Sequence, residues 1–499
     1  MILIAGCTIT PEPITTAERV EQAAQDREKL FVGQQPVAGP ISLAEAMARA
    51  IKYNTTQRLR VMEEALAQRQ VDVSRYDLLP RLGLDLQYQN RNNQNASSSR
   101  SLETQRQSLE PSYSQDRDRK SAQLELVWNV LDFGISYYTA QQQTNRQLIA
   151  QQKRRKVIHD LMQDVRDAYW KAVSAQQLGE RISEVRSMAE QALEDARAVE
   201  RERLQPLLQT LRYQKALLDV IQKLETLEQD LSQAKPRLAA LMNLPFGEAY
   251  ALVVPTPEEM TLPVVDIELP QMEALALVQR PELIEAAYEQ RITALETRKA
   301  ITRLLPGLEF DFGVNFNSNS FLSHQTWYET GLRITWNLLS LPGRLEGLSL
   351  AETQEQVAEA QRLAVSMAVL SQVHLSYRDF QNVVQRYERA RQLLAVEQRI
   401  LENVSNTEQA LATSPLETIR TQSNAMLAEL RRLDSYAALQ AATGRLHASL
   451  GLDPLPPTVQ SHSVADLSVA IEAVLADWSA GNLRTESNGL AEPDNAPKQ

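Results

Sequence analysis

Hydrophobic positions along this chain follow two different periods. In Leu82-Gly83-Leu84-Asp85-Leu86-Gln87-Tyr88-Gln89 the even positions are apolar and the odd ones small or polar. The alternation resumes at Ala122, Leu124, Leu126, Trp128 and Val130, with Gln123, Glu125 and Asn129 opposite. It returns at Leu308, Phe310, Phe312, Val314 and Phe316 against Glu309, Asp311, Gly313 and Asn315. A fourth run sets Tyr328, Thr330, Leu332, Ile334 and Trp336 against Glu329, Gly331, Arg333, Thr335 and Asn337. Period two predicts four strands, in two hairpins. Two other stretches predict helices of unusual length. Ile135 to Gln205 has no proline and one glycine, Gly179; Arg344 to Thr413 has no proline, and no glycine after Gly347. Proline costs about 3 kcal/mol and glycine about 1 kcal/mol inside a helix, so such runs are helical. At about 1.5 Å per residue each would reach roughly 105 Å. Arg386, Glu388, Arg389 and Arg391 crowd a few turns of the second and exclude a membrane-spanning helix.

The remaining elements fall into a duplicated order. A capping box of Ser42 and Glu45 starts a helix that runs to about Leu79 and stops at Pro80. A strand, a polar loop from Asn90 to about Lys120, a second strand, the long helix and a return helix to about Met242 follow. Glu45-Ala46 then matches Glu273-Ala274, Leu79-Pro80 matches Leu305-Pro306, Trp128-Asn129 matches Trp336-Asn337, and Pro206 matches Pro415. The expected division is an N-terminal arm at 1–40, extended apart from one short helix; a first repeat at 41–243; a Pro-rich linker at 244–270; a second repeat at 271–455; and a C-terminal segment at 456–499. That last segment is expected to hold one amphipathic helix, Ala465 to Trp478, and a disordered end at 480–499.

Composition narrows the function. The 499 residues carry a formal net charge of -11, which argues against nucleic acid as a partner. The five histidines (His159, His324, His374, His447, His462) are scattered, with no metal-ligand spacing, P-loop or dinucleotide fingerprint. No catalytic residue, metal ligand or cofactor is expected, so the chain reads as no enzyme. The strands carry the functional information: each has one wholly apolar face and one polar, partly charged face. An ordinary half-buried sheet would show this too. Here, however, four strands are flanked by helices too long to fold back over them. Four strands cannot close a barrel, whereas membranes accept barrels of eight or more. Three chains supply 3 × 4 = 12 strands, with the apolar face toward lipid and the polar face toward a water-filled lumen. Trp128, Trp336, Trp327 and Tyr328, near strand ends, fit an interfacial aromatic belt, and equally fit a packed core. On the membrane reading Asp85, Glu125, Asp311, Glu329 and Arg333 face the lumen.

The single cysteine lies in Leu3-Ile4-Ala5-Gly6-Cys7, which resembles a bacterial lipobox with Cys7 as the lipid attachment site. Six residues precede it, too few for a basic start and an apolar core, so lipidation expects a start further upstream.

Taken together, Ser42-Leu43-Ala44-Glu45-Ala46 through Asn54, Leu78-Leu79-Pro80-Arg81-Leu82, Trp128-Asn129-Val130-Leu131-Asp132-Phe133-Gly134 and their second-half counterparts resemble the TolC-like outer membrane efflux proteins. The resemblance covers roughly residues 41–455 and rests on the order, the duplication and the helix lengths. It implies a mainly α fold with a small β part: a homotrimer sharing a 12-stranded β-barrel and a long-helix α-barrel through the periplasm. It also implies a lipid-anchored protein of the bacterial outer membrane that passively conducts substrates delivered by a periplasmic adaptor (membrane fusion) protein and an inner membrane pump. The long helices turn back at Leu204-Gln205-Pro206 and Thr413-Ser414-Pro415, the expected adaptor contacts. The family glycine before this turn is missing here. Glu408 and Glu417 flank the second turn and are candidate gate residues. A non-pore coiled-coil scaffold of the periplasm is the alternative, and it predicts apolar strand faces buried inside a soluble particle. Drug, protein and metal clients are not separated by the sequence.

Overall fold

The computed structural model describes residues 11–202, 206–409, 415–455, 461 and 463–482, with the side chains of 407–409, Pro415 and Leu416 excepted. Helix α1 (Thr16–Phe31) is followed by α2 (Leu43–Tyr53) and α3 (Thr55–Tyr76). Strands β1 (Arg81–Asn90), β2 (Ala96–Ser97), β3 (Ser112–Tyr113) and β4 (Asp118–Asn129) lead into the 72-residue α4 (Val130–Arg201). Helices α5 (Leu207–Ser232) and α6 (Ala234–Leu241) return. The second half repeats the order with α7 (Leu269–Gln279), α8 (Pro281–Thr302), β5 (Gly307–Asn317), β6 (Thr326–Thr335), the 69-residue α9 (Leu341–Gln409) and α10 (Pro415–Ser449). Helix α11 (Val464–Ser479) comes last. The chain is thus mainly helical with a small sheet, as the pattern predicts, and none of the described helices is long and apolar enough to cross a membrane.

Two local expectations need correction, the helix after Ser42 and the start of α4. The helix expected from Ser42 to Leu79 breaks at Asn54, which adopts an extended φ/ψ. Its side-chain oxygen accepts from the amides of Thr56 and Gln57, capping α3, while its amide nitrogen donates to the Leu241 carbonyl. Asn54→Ala should therefore cost about 1 kcal/mol, the usual worth of an N-cap, read as a lowered midpoint in urea. The one short helix expected in the arm is the 16-residue α1, held by a Thr15–Glu18 capping box. α4 starts at Val130, not Ile135, because the Asn129 side chain accepts from the amides of Leu131 and Asp132 and caps it there. Both expected hairpins form, β1 with β4 and β5 with β6, and β4 also pairs with β5, giving one antiparallel sheet in the order β1-β4-β5-β6. The loop after β1 adds the two-residue ribbon β2-β3.

The chain forms two compact units, each drawing on both halves. One comprises residues 1–61, 154–281 and 367–499. Its core includes Ala189, Leu193, Leu217, Ile221 and Ile419, near the turn ends of α4, α5 and α10. It also holds an edge-to-face aromatic series, with Trp170 at 5.4 Å from Tyr169 and 4.9 Å from Tyr436 between ring centres. The Tyr169 hydroxyl donates to the carbonyls of Ile41 and Val253, which joins α4 to the start of the first repeat and to the linker. The other unit comprises residues 62–153 and 282–366 and holds the sheet. In it α8 lies against α4: the Gln142 amide donates to the Ile292 carbonyl and to Glu296, and the Lys299 ammonium donates to Gln142 and Glu296.

Candidate functional site

The sheet separates chemistry by parity. On one face Leu86, Ala122 and Phe316 form a row across β1, β4 and β5, Leu84, Leu124, Val314 and Tyr328 form the next, and Leu82, Leu126, Phe312 and Thr330 the next. Trp128, Phe310 and Leu332 complete it toward the helices. These side chains stand open to the outside: Leu86 is 70% exposed, Leu332 69% and Phe312, on an inner strand, 36%. No helix of this chain covers them among the described residues. Aromatic rings mark both ends of this face, with Trp128 and Phe310 toward the helices and Tyr88, Phe316 and Tyr328 toward the loops.

The opposite face carries Asp85, Glu125, Asp311, Glu329 and Arg333, so the structure brings all five predicted lumen residues to one side. Arg333 lies 3.6 Å from Glu309 on the neighbouring strand. Three of the other carboxylates lie over glycines: Glu125 pairs with Gly83 and Gly313, Glu329 with Gly313, and Asp311 with Gly331, while Asp85 pairs with Gln123. A Cβ on Gly331 would sit 2.5 Å from an Asp311 carboxylate oxygen, so the missing side chain is what gives that carboxylate its place. Trp327 also belongs to this polar face, opposite Asn315, with its indole nitrogen 3.5 Å from Glu329. Its expected place beside Tyr328 in an apolar aromatic belt is therefore wrong, since neighbours in a strand point to opposite sides.

At the helical turns, Pro206 is exposed and its carbonyl accepts from the amides of Gln209 and Thr210, opening α5. Pro415 opens α10, and Glu417 is exposed in its first turn. Leu204, Gln205, Thr413, Ser414 and Cys7, and the side chain of Glu408, lie outside the described residues. Between α4, α9 and α10, Arg181, Glu184, Met188, Glu402, Thr418 and Met426 line a groove of about 470 Å³ that no local pattern announces.

A second cluster escaped the sequence. The Arg155 guanidinium donates to both Asp453 carboxylate oxygens at 2.6 and 2.9 Å, to the Gln279 carbonyl at 2.8 Å and to the Gly451 carbonyl at 2.6 Å. His159 Nε2 is 2.7 Å from the same carboxylate. Burial opposes the charge on Asp453, but the hydrogen bonds from His159 and Arg155 outweigh it and hold the carboxyl below its usual range. A depressed carboxyl stabilises the fold above its unfolded value, and that contribution is lost as pH falls through the folded one. Asp453→Asn should therefore lower Tm at neutral pH and flatten its acid decline, which a Tm series from pH 7 downward would show. Among the described residues no group of three metal-ligating side chains occurs.

No protein-family model matches the sequence, and a search of curated proteins finds no match. Solved structures do match. The Campylobacter jejuni CmeC outer membrane channel aligns over 85% of this chain and 91% of its own, at 13% identity and a TM-score of 0.64. The Neisseria gonorrhoeae MtrE outer membrane channel, in its open state, aligns over 82% and 88%, at 16% identity and 0.62. The Vibrio cholerae outer membrane protein VceC aligns over 82% and 96%, at 14% identity and 0.61. Over more than four fifths of its length, then, this chain has the fold of the TolC-like outer membrane efflux channels.

Proposed function

We propose that the chain is the outer membrane channel of a tripartite efflux or secretion system, conducting substrates passively outward. The observation that carries the reading is the open apolar face of the sheet. Four strands of 10, 12, 11 and 10 residues are each long enough for the roughly 9–11 that a tilted membrane strand needs. An apolar face of this extent facing water would be an aggregation liability, whereas lipid satisfies it. A scaffold would have to bury the same face within itself, and among the described residues nothing does. Three copies would close a 12-stranded barrel, leaving Asp85, Glu125, Asp311, Glu329 and Arg333 on the lumen wall. The turns at Leu204-Gln205-Pro206 and Thr413-Ser414-Pro415 would meet the periplasmic adaptor, with Glu408 and Glu417 at the gate and Cys7 carrying the lipid anchor. Energy would come from the inner membrane pump.

The lumen wall supports a specific test. Glu309 is paired with Arg333 and Asp311 shares its row with Arg81, but Asp85, Glu125 and Glu329 carry no counter-charge on their rows, so three copies would line the pore with 3 × 3 such carboxylates. Such a pore favours cations. In a bilayer with a KCl gradient the wild type should give a cation-selective reversal potential. Glu125→Lys with Asp311→Lys should move it toward zero or reverse it. No stepwise current from a purified, membrane-inserted protein would sink the channel reading.

A further inference from the structure

The groove between α4, α9 and α10 is built from three helix faces. On α10 Thr418, Gln422 and Met426 recur every four residues and so share one side of the helix. On α4 Glu184 and Met188 are likewise four apart, and α9 closes the third side with Leu401 and Glu402. Two of these walls are fixed to each other. Ile419, beside Thr418, shares a buried cluster with Ala189 and Leu193 of α4, and Arg181 of α4 is ion-paired with Glu429 of α10. The enclosed space of about 470 Å³ falls within the roughly 300–1,000 Å³ of small-molecule sites.

The buried polar atoms left without partners in this groove are both oxygens. Thr418 is 6% exposed, and its hydroxyl oxygen is sealed from solvent with no hydrogen-bond partner among the described residues. The Gln422 side-chain oxygen, one turn further along, is in the same state. A buried polar atom left unpaired is costly and rare in folded proteins, so this wall calls for N–H donors. At the rim the Glu184 and Glu402 side chains are exposed and form no ion pair among the described residues. Arg181 also lines the groove, but Glu429 takes up its charge. Met188, Leu401 and Met426 add an apolar flank, and methionine adapts to partners of varied shape.

We propose that the groove binds a small organic cation, a primary ammonium carried on an apolar body. An ammonium presents three N–H donors, enough for the Thr418 and Gln422 oxygens and one rim carboxylate, and the second carboxylate adds to the attraction. The apolar body then lies along Met188, Leu401 and Met426. An anion would meet two carboxylates and two oxygen lone pairs instead. A bare metal ion lacks ligands, since no group of three metal-binding side chains occurs among the described residues. The bound cation touches all three helices and so ties α9 to the pair that is already joined.

The test uses the purified full-length chain, with 4-phenylbutylamine, protonated at neutral pH, as the probe. The alcohol 4-phenylbutanol and the anion 4-phenylbutyrate are its matched controls. Calorimetric titration should show the amine binding at least tenfold more tightly than either control. Glu184→Gln with Glu402→Gln should remove that advantage, and Gln422→Leu should weaken the amine at least threefold. Glu388→Gln, which removes an exposed acid elsewhere on α9, should leave binding as it is in the wild type. A second readout sits in the groove itself. Met188→Cys on a Cys7→Ser background should react with a water-soluble maleimide at least fivefold more slowly in saturating amine, and at its free rate in the same concentration of the alcohol. Binding is read without any ion current, so the site stands or falls apart from the channel reading. Equal binding of amine and alcohol, full binding by the double glutamine variant, or no protection at position 188 would overturn the proposal.

Discussion

Phe312→Arg and Leu332→Arg, made singly, are expected to abolish assembly in the outer membrane. Both side chains lie in the middle of the apolar face, Phe312 opposite Leu126 and Thr330, and Leu332 opposite Phe310. An arginine at the bilayer midplane on the lipid face costs about 2–4 kcal/mol per chain. Three copies place that cost three times in one particle, roughly 6–12 kcal/mol, comparable with the whole stability of a folded domain. Asp311→Arg is the control. It lies one residue away on the polar face over Gly331, where an open wall has room for it. Membrane fractions run unheated on a gel should show the oligomer for wild type and Asp311→Arg and lose it for the other two. Equal tolerance of all three would mean that the apolar face meets neither lipid nor a packed core.

Gly451→Ala has the next largest expected effect, for a different reason. Gly451 ends α10 at φ +78°, and the Leu452 amide reaches back to the His447 carbonyl to close the helix. Left-handed backbone costs an alanine about 1–2 kcal/mol. Here the new Cβ would also sit 2.7 Å from the Gln279 carbonyl carbon, a backbone atom that cannot rotate away. Both Gln279 and Gly451 supply carbonyls to Arg155, so yielding at this point loosens the Asp453 cluster too. A fall in Tm larger than that of Asp453→Asn is expected, with the two substitutions together less than additive because they share Arg155.

What was legible in the sequence was what repeats at short range. Period-two alternation in Leu308 to Phe316 fixes which side chains share a face without knowledge of any partner strand, and the structure keeps every parity. Proline-free length gives the long helices for the same reason. Trp327 was misplaced when nearness to Trp336 and Tyr328 outweighed its odd position, although parity alone assigns it. The break at Asn54 was hidden because asparagine is tolerated inside helices, and the bond that makes it a cap comes from Leu241, 187 residues away. The bounds of helix α1 were not read between Pro11, Pro13 and Gly33, although Thr15 and Glu18 spell a capping box. The Arg155–His159–Asp453 cluster joins residues almost 300 positions apart and leaves no local trace. That four strands are too few to close a barrel was legible as arithmetic alone.

The most direct measurement is a scan of spin labels placed singly from Leu308 to Phe316 in the membrane-inserted protein, comparing collision rates with oxygen and with a water-soluble nickel complex. Lipid-facing labels meet oxygen, and lumen-facing labels meet nickel. The account predicts strict alternation, with oxygen favoured at 308, 310, 312, 314 and 316 and nickel at 309, 311, 313 and 315. Even-numbered labels shielded from both reagents would show a protein core against this face and contradict the membrane channel.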